Sequence, residues 1–151
     1  MVALVSPTCG TCLRGASEMQ DRVFGKIGGD RLAGFVVWVP KLYGKEKNVP
    51  EATHTVSDHR VTHFWDGQAV LVHGYDTVLG LGTDAWDVYL AYPPGVRWDG
   101  TLPPAPAFWM HQLGSRGRPG VNGPYLDPDE FAEPCPDPHL DAVEQRRQWR
   151  R

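Results

Sequence analysis

The stretch VALVSPTCGTCLRGA, residues 2–16, decides how the rest of the chain is read. Its first half, Val2 to Val5, is a short apolar run that Ser6-Pro7-Thr8 brings to a stop. A run of that kind, bounded by turn residues, fits a buried strand. From Cys9 the period changes. Leu13, Ala16, Val23, Phe24 and Ile27 recur at helical spacing, with Arg14, Glu18, Gln20, Asp21 and Arg22 between them. Gly28-Gly29 supplies a stop signal. LAGFVVWVP (32–40) then runs almost without polar residues, as a parallel strand covered on both faces does. Residues 2–39 are therefore predicted as strand, helix, strand, with Cys9 and Cys12 where the first strand hands over to the helix.

That position has chemical meaning. The first turn of a helix has unpaired N–H groups and the positive end of the macrodipole, and both favour a thiolate. Thiols in such motifs ionise at roughly 3.5 to 7.5 rather than ~8.5. The spacing predicts Cys9 exposed at the helix tip as nucleophile. Cys12 sits one turn deeper as the resolving thiol, close enough to displace a mixed disulfide. Thr8, Gly10 and Thr11 tune the pair through local hydrogen bonds and backbone access. Arg14 is the nearest cation in sequence. Metal binding and an inert pair of small apolar residues are the competing readings of the same two cysteines.

Composition narrows the field. The chain has 151 residues, 41% hydrophobic, with a net charge of −3. This is about one domain with a real core, and it lacks the basic face that nucleic acid requires. No apolar run reaches the ~18 residues of a membrane span, and the first residues lack the basic region of a secretory signal. A cytoplasmic protein is expected, with partners other than nucleic acid or membrane. Three cysteines are too few for a disulfide-stapled scaffold, and in a reducing compartment a close pair points to redox or metal chemistry.

Further along, Asn48-Val49-Pro50 fits a short helix start. VTHFW (61–65) is predicted as a strand, and Asp66 as the cap of a helix through about Leu79. WDVYLAY (86–92) is predicted as a strand. Pro93-Pro94-Gly95 is predicted to turn it back into a hairpin with VRW (96–98). AFWMHQL (107–113) fits either helix or strand. Residues 1–113 are taken as the folded domain. Residues 114–151 are taken as a Pro/Gly-rich tail with a short helix opening at Asp127-Pro128, stopped by Pro134, Pro136 and Pro138 before it buries a face.

LVSPTCGTCLRGA followed by FVVWVP resembles the front half of thioredoxin-like proteins, of the bacterial thiol-disulfide oxidoreductase or redoxin type. WDVYLAYPPGVRW is similar to the later hairpin of that family, so the resemblance covers roughly residues 2–98. It implies an α/β fold with a central mixed β-sheet flanked by helices. It also implies a redox-active Cys9–Cys12 pair that needs no organic cofactor, and a cis-proline facing the cysteines. The expected partners are a disulfide-containing protein or small thiol as substrate and an upstream thiol reductant. The sequence departs at one point, because Trp86-Asp87 stands where the family has Thr-Pro. The loss of that proline makes soft-metal or metalloid binding a stronger alternative. A catalytically silent interaction module is the third reading.

Other polar residues weigh less. His54, His59 and His63 do not share a face of any regular element, and no second cysteine pair stands at zinc-site spacing, so no metal ligand set is expected. His63, beside aromatics, is kept as an accessory base near the thiols. Trp86 is expected to line the active groove, and His111 to pack. Asp87 is kept as a groove residue near Cys9, weighed against a solvated strand position. Cys135 reads as an exposed spare thiol, and the basic C-terminal end as a solvated tail.

Overall fold

The computed structural model describes residues 1–30, 32–114 and 121–132. The architecture is mixed α/β. Strands β1 (Val2–Val5), β2 (Gly34–Trp38), β3 (Val61–Trp65), β4 (Val88–Ala91) and β5 (Phe108–His111) form one five-stranded sheet in the order β3-β2-β1-β4-β5. β1 pairs parallel to β2, with Val5 opposite Trp38, and β2 pairs parallel to β3. β4 lies antiparallel to β1, and β5 antiparallel to β4. Parallel neighbours need a crossover. The first is helix α1 (Gly10–Glu18), continued by a π-helical segment over Met19–Phe24. The predicted helix thus ends three residues early, and Gly29, at φ +77°, lies in the turn beyond it.

The two faces of the sheet explain the unbroken apolar strands. Ala3, Val5, Val36, Trp38, Tyr89 and Met110 face α1, the π segment and α4 (Pro128–Ala132). Leu4, Val37, Val88 and Leu90 face helix α3 (Val70–Leu79), which contributes Val72 and Tyr75. The cap residue of α3 is Ala69, at φ 55°, rather than the expected Asp66; Asp66 stands three residues earlier, and its carboxylate oxygens accept from the Val70 and Leu71 N–H groups. The short helix near Pro50 is present as α2 (Val49–Ala52). Short as it is, α4 buries Phe131 edge-on against Tyr89, with ring centroids 5.7 Å apart. Asp127 accepts from the Asp129 and Glu130 N–H groups at its start. Cys135 and the basic end lie outside the described residues.

The predicted hairpin at Pro93-Pro94-Gly95 is corrected. Residues 96–98 form no strand, and β4 instead pairs with β5, Ala91 opposite Phe108. The chain between them is a long exposed loop in which Trp98 Nε1 donates to the Gly100 carbonyl at 2.7 Å. Among the described residues no helix is long and apolar enough to cross a membrane.

Candidate thiol–carboxylate site

β1 ends at Val5, and the turn Ser6–Thr8 swings the chain so that Cys9 becomes the cap residue of α1, extended at φ −97°, ψ 113°. Its Sγ accepts from the Cys12 N–H at 3.2 Å and lies 3.0 Å from the Thr11 hydroxyl oxygen. A sulfur therefore does here what Ser or Asp does at other helix starts. The two thiols are reduced in this structure. The expected exposure of Cys9 is corrected. Its neighbours Thr8 and Gly10 are exposed, but Cys9 itself is 3% exposed, because its Sγ turns inward onto the helix's own donors. Arg14, the nearest cation in sequence, is exposed. Cys12 is fully buried. Burial, the adjacent Asp87 charge and the hydrogen bond to Cys9 hold its thiol well above the ordinary cysteine range.

Asp87 is the second correction. Its weighing against a solvated strand position is overturned: it is 1% exposed and stands in the left-handed region at φ 55°. Asp is one of the few residues that adopt this conformation at modest cost. The bend turns its carboxylate toward the thiols, so that donor atoms of Cys9, Cys12 and Asp87 all lie within 4.8 Å of one another. The Tyr89 hydroxyl donates to Asp87 Oδ1 at 2.9 Å, and the Thr11 hydroxyl and Cys12 thiol also bond to this carboxyl. With its amide nitrogen directed inward, Gln112 donates to the Thr11 carbonyl at 2.9 Å and to Asp87 Oδ1 at 3.1 Å. Burial raises the Asp87 carboxyl above its usual range and outweighs these hydrogen bonds, which favour the charged form. At the place where the resemblance expects a cis-proline, the chain has this buried acid, and no peptide bond among the described residues is cis.

His63 is not part of the cluster. Its Nδ1 accepts from Trp38 Nε1 at 3.2 Å, and its Nε2 bonds to the Val56 carbonyl at 2.9 Å, so both ring nitrogens are engaged away from the thiols. Nδ1 as acceptor and Nε2 as donor describe a neutral ring, and burial lowers its pKa. His111 is held similarly: Nδ1 accepts from the Leu113 N–H and Nε2 bonds to the Gly123 carbonyl. His54 and His59 are exposed. Trp86 is half-buried and packs against both cores.

The turn before Cys9 is tied to a rim that sequence reasoning missed. Ser6 Oγ donates to the Lys41 carbonyl at 2.6 Å, and Thr8 Oγ1 to the Leu42 carbonyl at 2.8 Å. Leu42 and Tyr43 both have positive φ, 48° and 63°, and Tyr43 is 95% exposed. Such backbone costs about 1–3 kcal/mol per residue and persists only where neighbours hold it. The Lys41 ammonium pairs with Asp84, three residues before Asp87. An open hollow of about 480 Å³ beside the first turn of α1 is lined by Pro7, Leu13, Lys47, Asn48, Glu51 and His54, among others. None of Thr8, Gly10, Thr11, Trp86 and Asp87 lines it.

Compared with protein-family models, with curated proteins and with solved structures, the chain matches none.

Proposed function

We propose that the protein is a thiol-disulfide oxidoreductase of thioredoxin-like fold, with Cys9 as nucleophile and Cys12 as resolving thiol. The observation that carries this reading is Cys9 Sγ at the tip of α1, bonded to the Cys12 N–H with the Thr11 hydroxyl beside it. Both contacts stabilise a thiolate. The order β2-β1-β4-β5, with β4 and β5 antiparallel and the cysteine pair directly after β1, supports the fold assignment.

The chemistry follows from the contacts. Thr11 has one hydroxyl hydrogen and two neighbours, Cys9 Sγ and Asp87. When Thr11 donates to Asp87, the Cys9 thiol donates to Thr11, and the Cys9 proton has a path to the carboxylate. The Cys9 thiolate attacks one sulfur of a substrate disulfide. A Cys9–substrate bond forms, and the other substrate sulfur leaves as a thiolate that takes up the proton Asp87 received from Cys9, so that Asp87 is again a carboxylate. Cys12 then gives its proton to Asp87, and its sulfur attacks Cys9 Sγ. The second substrate sulfur leaves, and a Cys9–Cys12 disulfide remains. Two electrons pass to the substrate, and an upstream thiol reductant returns them. The substrate is a disulfide-containing protein or a small disulfide, and a reducing compartment such as the cytoplasm suits this direction.

The test is insulin reduction with a thiol donor. Wild-type protein is expected to turn over, Cys9→Ser to be inactive, and Cys12→Ser to accumulate mixed disulfides. Absence of turnover and of mixed disulfides in all three overturns the reading.

One observation favours a second reading. Two sulfurs and a carboxylate oxygen within 4.8 Å make a three-donor set for a soft metal ion, with a fourth position open. That reading requires uptake of about one cadmium or zinc ion per reduced chain, lost in Cys9→Ser, in Cys12→Ser and in Asp87→Ala.

A further inference from the structure

The opposite end of the sheet carries a second hollow. Val2 begins β1, Phe35 lies near the start of β2 and Tyr92 follows β4, so this end is remote from the one where β1 delivers Cys9. A cleft of about 470 Å³ opens there, within the roughly 300–1,000 Å³ of small-molecule sites. Its walls include Phe35, Tyr75, Tyr92, Pro93, Pro94 and Trp98. Phe35 is 42% exposed and Trp98 48% exposed, so flat apolar surface is left facing the opening. Trp98 Nε1 donates to the Gly100 carbonyl at 2.7 Å.

The polar character of the cleft is one-sided. The Tyr92 hydroxyl donates to the Pro104 carbonyl at 3.0 Å, and its oxygen accepts from the Tyr75 hydroxyl at 2.8 Å. Both phenolic hydrogens are therefore engaged within the wall, and burial keeps both rings un-ionised. Among the described residues that line the cleft, Arg97 has the one charged side chain and none is a carboxylate; the Met1 ammonium, also at this wall, donates to the Ala33 carbonyl at 2.9 Å. Among the described residues Arg97 has no hydrogen bond or ion pair. Arg97, exposed on the wall of an apolar, aromatic hollow, puts a positive side chain beside it. It offers forked donors to a carboxylate or sulfonate.

We propose that this cleft binds a small aromatic anion, with the ring against Tyr92, the prolines and Trp98 and the acidic head on Arg97. The ring surface supplies burial at about 25 cal/mol per Å², and Arg97 selects the charge. The site stands apart from the thiols and does not depend on their chemistry.

The test uses two fluorescent probes of like shape, anilinonaphthalene sulfonate and uncharged phenylnaphthylamine. They are titrated against wild-type protein, Arg97→Gln and Ala33→Phe, with folding checked by circular dichroism. Wild-type protein is expected to bind both saturably at one site. Arg97→Gln weakens the sulfonate about tenfold, as loss of a charge-assisted contact does, and leaves the uncharged probe unchanged. Ala33→Phe, at an exposed lining position, fills the cleft and weakens both. Unsaturable binding overturns the proposal, as does equal sulfonate affinity in Arg97→Gln or full binding of both probes by folded Ala33→Phe. If Ala33→Phe does not fold, the Arg97→Gln comparison alone decides, since that side chain holds nothing described in place.

Discussion

The Tyr89 hydroxyl reaches Asp87 Oδ1 across 2.9 Å, and the same oxygen atom of Tyr89 lies 3.1 Å from the Cys12 carbonyl. Asp87 stands just before β4, in the left-handed bend at φ 55°, and that bend carries its carboxylate to the face from which Tyr89 projects. One phenol thus ties the buried acid to the helix that carries the thiols.

Asp87→Asn tests the protonation of that acid. A carboxyl whose folded pKa is raised gives stability that is complete below the unfolded value of about 3.9. That stability is lost as pH rises through the folded value. Wild-type protein is expected to lose stability from this group on going from acid to neutral pH. Asn also accepts the left-handed bend, so the variant should be more stable than wild type at about pH 7 and lose that advantage near pH 4. Denaturant midpoints at the two pH values measure this. Resolution of the mixed disulfide should slow roughly a hundredfold, as removal of a proton acceptor does.

Thr11→Val keeps the side-chain shape and removes the hydroxyl between Cys9 and Asp87. Loss of the contact with Cys9 Sγ should slow alkylation of Cys9 by iodoacetamide about tenfold at neutral pH. An unchanged rate would remove Thr11 from the proton path.

Gly15→Ala sets helix propensity against packing. Ala is favoured over Gly within a helix by about 1 kcal/mol. A Cβ at position 15 meets the Tyr89 hydroxyl and the Gln112 side chain at overlapping distance. Overpacking costs about 1–3 kcal/mol, so a net loss is expected in thermal unfolding. Because the displaced groups are the partners of Asp87, the rate of mixed-disulfide resolution should fall with it.

Arg60→Lys is expected to be nearly as damaging as Arg60→Ala. The guanidinium meets both oxygens of Asp58, and it donates to the carbonyls of Phe24, Ile27 and Gly29 where the π segment ends. It also lies over the Phe24 ring. An ammonium cannot make this set of contacts. A loss of about 3 kcal/mol is expected for either change, read from denaturant unfolding.

His63→Gln and His111→Gln test acid sensitivity. Burial depresses both imidazoles. Their stabilisation is present above the unfolded value of about 6.5 and lost as pH falls through the lower folded values. Each variant should show a smaller fall in stability below about pH 6.5 than wild type. An identical fall in wild type and both variants would assign the acid transition to other groups.

The sequence was most legible where chemistry and period are local. The change of spacing at Cys9 marks β1 and α1. Val36-Val37-Trp38 reads as a strand buried on both faces, and Asp66 announces the start of α3. The β4 partner was not legible, because Pro93-Pro94-Gly95 imitates a tight turn while the true pairing, Ala91 with Phe108, spans a loop that leaves no local trace. Nor was the burial of Asp87. Its environment is assembled from residues 11, 12, 89 and 112, which meet only in the folded chain. Strand alternation gives no help here, because Asp87 stands before β4 and its left-handed bend, not the pleat, sets the direction of its side chain. The inward turn of Cys9 escaped for the opposite reason. Spacing located the helix tip but carried no information on which way its sulfur rotates.

The rim at residues 41–44 has a mechanical consequence. Ser6 and Thr8 grip one side of it through backbone carbonyls, and the Lys41 ammonium grips Asp84 on the other. The segment before Cys9 and the segment leading to Asp87 are therefore harnessed to a common crosspiece. The turn that holds Cys9 and the segment that leads to Asp87 thus share one support, and Tyr43, 95% exposed, stands on it.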